Sequence, residues 1–421
     1  MSVTESVRSR APERTRAPKL PWPGLLMLAA GVFMSITIEM LPTGLLPEMS
    51  EGLGVAEPLV GLLVSVFAFA VVVTSTPLTA LTSRMPRHGL LVIVLAVLGL
   101  TTLASAFVPE YWMLVAVRLI GGVAHGLFWA IVAAYAARLV PDHQIGRAIS
   151  VTLGGGTLAL VAGVPATAVI GQALGWRPVF GIVAVLTLLA AVAVWRFLPP
   201  VGTDAAAAPT AAGFRRGDLA LGPVLLVCAI TALTMLGQYA VFTYVAPLIT
   251  EIVGLEGGAV GPLLFVYGVA GAAGLAVAGS RLAADPVRAM VGAMALGATA
   301  LIVLGLAPGV WPSLIALAVW GLAFGAIPPL LQTRLLQAAP ATHRDAASAL
   351  YTTAFNVGIG GGALAGAVLY EWVGVQSLPF VYAAVLVALT VVLSREMLKA
   401  RGQRGSGNVA AVAGPVRPPA V

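Results

Sequence analysis

Charge is what this chain has least of. Only 9% of its 421 residues are charged, against 59% hydrophobic, and the mean hydropathy is +1.00. Soluble domains carry about 25% charged residues, so a water-soluble fold is excluded and most of the chain belongs in lipid. Cysteine is nearly absent as well. A single Cys228 inside an apolar run excludes an intrachain disulfide and speaks against a metal site. No GxxxxGK[ST] loop, hydrolase elbow or HExxH helix occurs, so nothing points to ATP drive, enzymatic chemistry or a cofactor. The net charge of +7 does not signal nucleic-acid binding, because the bases gather in alternate loops between apolar runs.

What is present is a series of apolar stretches long enough to span a bilayer. They predict twelve helices at 24–46, 59–82, 89–108, 111–137, 147–172, 177–198, 220–246, 259–281, 287–308, 311–336, 346–370 and 376–394. The expected architecture is an all-α integral membrane protein embedded in a lipid bilayer. Residues 1–23 form a basic tail, 24–198 a first six-helix half, 199–219 a linker, 220–397 a second half and 398–421 a disordered tail. The basic start resembles a signal peptide, but the run that follows is too long and carries an acid, so it reads as a retained helix.

Arginine placement predicts the orientation. Arg84 and Arg87, Arg138 and Arg147, Arg215 and Arg216, Arg281 and Arg288, and Arg334 and Arg344 fall in one set of loops, with further bases in both tails. The other set has Arg177 as its only base and carries Glu48, Glu51, Glu57, Glu110, Glu251, Glu256 and Glu371. Both termini are therefore expected on the cytoplasmic side of the cell membrane.

The halves repeat in sequence. An offset of 200 pairs Pro47 with Pro247, Glu51 with Glu251, Gly54 with Gly254, Gly61 with Gly261 and Pro86 with Pro286. An offset of 199 pairs Trp112 with Trp311, Gly122 with Gly321, Gly126 with Gly325 and Pro141 with Pro340. Two parallel pseudo-repeats of six spans are the architecture of transporters whose solute site lies between the halves.

Two charges sit well inside apolar spans. Glu39 lies ~10 Å from the end of the first, and Arg118 lies at a similar ~10 Å depth in the fourth. A buried carboxylate costs at least ~2.5 kcal/mol on insertion scales, so it needs a partner, a proton or a wet cavity. Their repeat counterparts are Tyr239 and Leu317, so the shared scaffold does not require them. Either they take part in a proton pathway, with Glu39 changing protonation state, or they form a fixed ion pair that aligns helices. Gly122, His125 and Trp129 share the Arg118 face of the helix. His125 is near the midplane and is either a relay or ligand, or a neutral side chain bonded to a neighbouring carbonyl.

The fifth span combines Gly154, Gly155, Gly156, Gly163 and Gly171 with Pro165, which predicts close packing and a bend, hence a candidate hinge. The seventh is unusually polar and aromatic, with Thr231, Thr234, Gln238, Tyr239, Phe242, Thr243 and Tyr244. These residues suit a largely apolar cavity for a small organic solute. Trp320 and Phe324, and Tyr351, Phe355 and Asn356, are further candidates for its wall.

The run EMLPTGLLPEMSEGLGV, the run RLIGGVAHG and the GVP at Gly163–Pro165 together resemble motifs of the major facilitator superfamily. Within it they are similar to the twelve-span drug/proton antiporters related to bacterial sugar-efflux and chloramphenicol-efflux permeases. The resemblance covers all twelve spans. It implies the major facilitator fold, Glu39 at the position of a proton-coupling acid, Arg118 as its modulator, and a cavity walled by spans one, four, seven and ten. The family's loop pattern GxLxDRxGRR falls on Thr79–His88. There Arg84 and Arg87 remain, Ser83 replaces the aspartate, and Thr79 and Pro86 replace glycines. The second copy, Gly279–Arg288, keeps Gly279 and Asp285; Arg84, Arg87 and Asp285 are the gate candidates.

The expected activity is proton-coupled efflux of a drug or sugar by alternating access. A symporter or facilitator importing a sugar or metabolite is the second reading, and a non-transporting membrane sensor the third. One chain holds both halves and can work as a monomer.

Overall fold

Apolar runs of this length leave the backbone only one way to satisfy its polar groups in lipid, as helices bonded within themselves. The computed structural model describes residues 20–82, 84–141, 144–201, 221–280, 285–339 and 344–412. Among these residues there is no strand, and twelve helices are long and apolar enough to cross a membrane. They are Trp22–Gly44, Glu57–Ser75, Arg87–Phe107, Tyr111–Arg138, Ala148–Leu174, Trp176–Phe197, Gly222–Phe242, Gly257–Ala278, Pro286–Leu306, Val310–Ala338, Leu350–Val373 and Ser377–Arg395, here the first to twelfth spans. Most of the amino-terminal tail and of the linker lie outside the described residues. The last helix continues to Val412, through part of the stretch whose composition predicts disorder. No proline interrupts it between Pro379 and Pro415.

The sequence repeat is also a packing repeat. In the first half, span one packs on five, two on four and three on six. In the second, seven packs on eleven, eight on ten and nine on twelve. The halves meet where span two lies on eleven and span five on eight. A shift of six spans exchanges these two seams, as a pseudo-two-fold axis between the halves requires.

Matched glycines make matched contacts. A Cβ on Gly122 would lie 2.6 Å from the Phe67 carbonyl, and one on Gly321 would run into the Tyr267 carbonyl. Gly126 is set likewise against Val71, and Gly325 against Gly271. Phe67 and Tyr267, and Val71 and Gly271, are themselves 200 residues apart, so the same backbone approach is built twice. Small residues are how membrane helices come this close. The matched Trp112 and Trp311 are both more than 70% exposed at helix ends, where amphipathic rings anchor a protein at the membrane surface.

The two ends of the bundle differ in charge. Glu48, Glu51, Glu57 and Glu251 mark an acidic end, and Arg84, Arg87, Arg138, Arg288 and Arg334 a basic end. At the acidic end the short helix Leu46–Leu53 follows the first span and stops at Gly54. Gly54 and its counterpart Gly254 are both left-handed, at φ 64° and 75°, a conformation that glycine adopts without a steric cost.

Candidate functional site

Glu39, Arg118 and His125 come together in the core of the first half, each under 5% exposed. The pairing is more specific than depth along the helices predicts. Pro42 lies inside the first span and has no N–H, so the Ile38 carbonyl four residues back has no helical donor. Arg118 fills that gap. Its Nη1 donates to the Ile38 carbonyl at 2.7 Å, and its Nη2 donates to the Glu39 carbonyl at 2.9 Å. The guanidinium carbon lies over Phe67, 4.2 Å from the ring centre. Arg118 is thus bound to the backbone of span one, not to the Glu39 carboxylate.

The carboxylate faces His125, with Oε2 3.5 Å from Nε2. The other ring nitrogen, Nδ1, is 2.8 Å from Ser35 Oγ. Ser35 sits one turn before Glu39 on the same face of the helix. It was not singled out from the sequence, although its i−4 spacing from Glu39 could have identified it. Phe67 meets the imidazole edge-on at 5.0 Å, and Trp129 lies beside it at 6.1 Å. Carboxylate, imidazole and hydroxyl form one chain with Arg118 at its side. A cleft of about 10 Å³ beside Arg118 is lined by Ile38, Phe67, Thr101, Thr102 and Ser105 among others, room for about one water.

The second half builds an aromatic cluster at the equivalent place. Gln238 is almost fully buried and doubly held. Trp320 Nε1 donates to its Oε1 at 2.9 Å, and its Nε2 donates to the Tyr267 hydroxyl at 2.7 Å. Phe242 packs against Tyr239, Tyr267 and Trp320 with ring centres 5.1–6.3 Å apart. These contacts fix the amide orientation and leave the Tyr267 hydroxyl hydrogen free to donate. Tyr267, another residue sequence reading missed, occupies the position that Phe67 holds in the first half. Tyr239 stands at the Glu39 position and lies within electrostatic reach of Glu39. One half therefore has charge where the other has rings.

Other predicted residues lie elsewhere. The seventh helix ends at Phe242, so Tyr244 falls beyond it at the seam near the acidic end. Its hydroxyl donates to the Ala363 carbonyl at 3.0 Å, and its ring lies over Gly61. Phe324 is half-buried, and Asn356 turns its amide back to the Thr352 carbonyl of its own helix at 2.9 Å.

Gly163 and Pro165 lie at a seam. Pro165 withholds a donor from Val161, and the preceding Ala159–Gly163 is wound as a π-helix. That segment touches span eight, where a Cβ on Gly268 would lie 2.6 Å from Val161 and 2.8 Å from the Leu160 carbonyl. Gly163 faces Thr37 and Phe33 of span one.

At the basic end, Arg84 is exposed, and Arg87 is half-buried at the start of span three. Asp285 caps span nine and pairs with Arg288 at 3.1 Å. Ser83 lies outside the described residues.

Two six-helix halves related by a pseudo-two-fold axis, with an intramembrane acid in one and an aromatic cluster in the other, define a secondary transporter. The sequence model of the Major Facilitator Superfamily matches residues 28–340 and 227–416; the chain belongs to this family and is a multi-pass membrane transporter of small molecules. It is 35% identical over 356 residues to a chloramphenicol efflux pump of Mycobacterium tuberculosis, covering 82% of this chain and 86% of that one. It is 29% identical over 359 residues to a probable sugar efflux transporter of Helicobacter pylori, covering 85% and 90%. The solved structure of a D-xylose-proton symporter superposes with a TM-score of 0.73 at 16% identity, covering 89% of this chain and 97% of that one. At that identity the likeness shows the fold alone.

Proposed function

We propose that this protein exports a small organic solute across the cytoplasmic membrane in exchange for protons, with the basic end and both termini in the cytoplasm. The observation that carries the reading is the chain Glu39–His125–Ser35. With Glu39 ionised, Ser35 donates to Nδ1, and the Nε2 hydrogen points at the carboxylate. With Glu39 protonated, the acid donates to Nε2, Nδ1 carries the hydrogen, and the Ser35 hydroxyl accepts it. A serine hydroxyl can take either role. The site therefore takes up one proton without making the imidazole a second buried charge, which burial would penalise.

Arg118 keeps its positive charge beside the acid in both states. Its bonds to the Ile38 and Glu39 carbonyls hold span one in place while the carboxylate changes partner. On the opposite half Gln238, Tyr239, Phe242, Tyr267 and Trp320 supply an apolar wall with one fixed amide, suited to a drug-like or sugar-like solute. Rocking of the halves over the seams of spans two with eleven and five with eight exposes this region alternately to each side. The efflux names of the relatives support export. No partner chain is needed, since one chain holds both halves.

The deciding experiment measures proton-driven solute accumulation in everted vesicles. Glu39→Gln should abolish uphill transport while leaving membrane expression intact; a Gln variant that still accumulates solute would end this reading. Protons leaving the lumen as solute enters indicate exchange, and entry of both together indicates symport.

A further inference from the structure

At the acidic end, two carboxylates from opposite halves converge on one phenol. Tyr370, near the end of span eleven, has its hydroxyl 3.1 Å from Glu57 Oε2 and 2.7 Å from Glu251 Oε1. Glu57 opens span two in the first half, and Glu251 follows span seven in the second. A phenol has one hydrogen to donate, so it can serve only one carboxylate at a time. The other then faces an oxygen lone pair at hydrogen-bonding range, with the charge of the first carboxylate acting on it across the phenol.

The other charged groups that act on Glu57 and Glu48 are acidic too. Glu48 of the short helix Leu46–Leu53 acts on Glu57, and Glu51 acts on Glu48. The Tyr244 ring packs on Tyr370 at 5.5 Å, with Tyr111 behind it. Among the described residues neither Glu57 nor Glu251 has an ion-pair partner. Arg177, at the same end of the bundle, is engaged by the Val108 carbonyl at 3.0 Å and the Trp176 ring at 4.3 Å. Burial holds the Glu48 carboxyl above the usual carboxylate range.

We infer that a proton shared among Glu57, Tyr370 and Glu251 latches the acidic end shut, forming a second proton site separate from Glu39. With one carboxyl protonated, that group donates to the phenol oxygen, the phenol donates to the remaining carboxylate, and the two halves are bridged. With both ionised, the bridge loses one hydrogen bond and gains a repulsion across the seam. Acid on this side then favours closure and alkali favours opening. The device does not depend on which way the solute moves.

The test uses full-length protein in nanodiscs with Glu39→Gln, so that the core acid does not titrate, and with Cys228→Ala. Spin labels at Pro109→Cys and Pro308→Cys, both exposed at this end on opposite halves, report the opening by electron–electron distance. With Glu57 and Glu251 intact, the ratio of open to closed populations should rise by about tenfold from about pH 5.5 to about pH 8.5. That corresponds to a tenfold difference in proton affinity between the two states. Glu57→Gln with Glu251→Gln should stay closed at both values, since amides can bridge the phenol without charge. Tyr370→Phe should open the end at both. A flat response with both acids present, or an unchanged response in the double Gln variant, overturns the proposal.

Discussion

Arg118 serves the Ile38 carbonyl, at 2.7 Å, because Pro42 cannot. A residue that the sequence marks only as a buried charge is thus also the missing donor of a helix that proline interrupts. The two roles separate in a double-mutant cycle. Arg118→Leu leaves the Ile38 and Glu39 carbonyls without their donor, and should destabilise by about 3–6 kcal/mol, two hydrogen bonds from a charged group at about 1.5–3 kcal/mol each. Pro42→Ala restores a backbone N–H for Ile38. On that background the cost of Arg118→Leu should fall by about 1 kcal/mol, the net value of one hydrogen bond. Thermal unfolding in detergent measures both, and strictly additive losses would show that Arg118 does not serve the proline gap.

Ser35 should matter to proton coupling more than to folding. In the proposed proton path its hydroxyl, 2.8 Å from Nδ1, lets the His125 hydrogen move between ring nitrogens as Glu39 gains its proton. Ser35→Ala should slow proton-driven transport by about tenfold or more, the loss seen when a metal-ligating histidine loses its orienting partner. Gradient-free solute exchange should change little, and Ser35→Thr should restore the driven rate. Equal losses in both assays, or no rescue by threonine, would reduce Ser35 to a packing residue.

How much of this was legible beforehand depends on what kind of information each feature uses. Helix length, charge sign and the 199–200 offset are linear properties, so the twelve spans and the two halves could be read directly. Matched pairs such as Gly122 and Gly321 even mark the two equivalent helix contacts. Glu39, Arg118 and His125 stood out because buried ionisable groups are costly. Their partners did not stand out, because counting along an axis gives depth but not rotation, and a backbone carbonyl has no letter in the sequence. Tyr267 was hidden among ordinary apolar residues of span eight, and its role depends on Gln238 and Trp320 arriving from two other helices. The apolar run predicts a helix to 246 and so puts Tyr244 in the cavity wall, whereas the helix ends at Phe242.

The repeated glycines give a test of the packing itself. A Cβ at Gly325 would press into the Gly271 carbonyl, and backbone cannot move aside as a side-chain tip can. Gly325→Ala should therefore destabilise by about 1–3 kcal/mol, the usual cost of overpacking. Gly292, on the exposed side of span nine, has nothing within 4 Å of its Cβ position. Gly292→Ala should be neutral or stabilise by up to about 1 kcal/mol through helix propensity. Unfolding temperatures measured side by side decide it, and equal effects at the two sites would contradict the close approach of spans eight and ten.

Pro165 offers a test of motion between the halves. It removes a donor from the ladder of span five, and Ala159–Gly163 is wound wider, with Val164 N–H donating to the Ala159 carbonyl. The loosened segment presses on Gly268, so a change in its winding would change how span five sits on span eight. Pro165→Ala supplies a donor for the Val161 carbonyl, and should convert the π-helical turn to regular helix and raise stability by about 1 kcal/mol. The same change should slow the interconversion of the halves. Turnover should fall several-fold while solute affinity in a binding assay stays within about twofold, since no wall residue is altered. Backbone hydrogen exchange over 159–165 checks that the turn has tightened. If exchange slows there and turnover is unchanged, the segment is a packing feature of the seam and the hinge lies elsewhere.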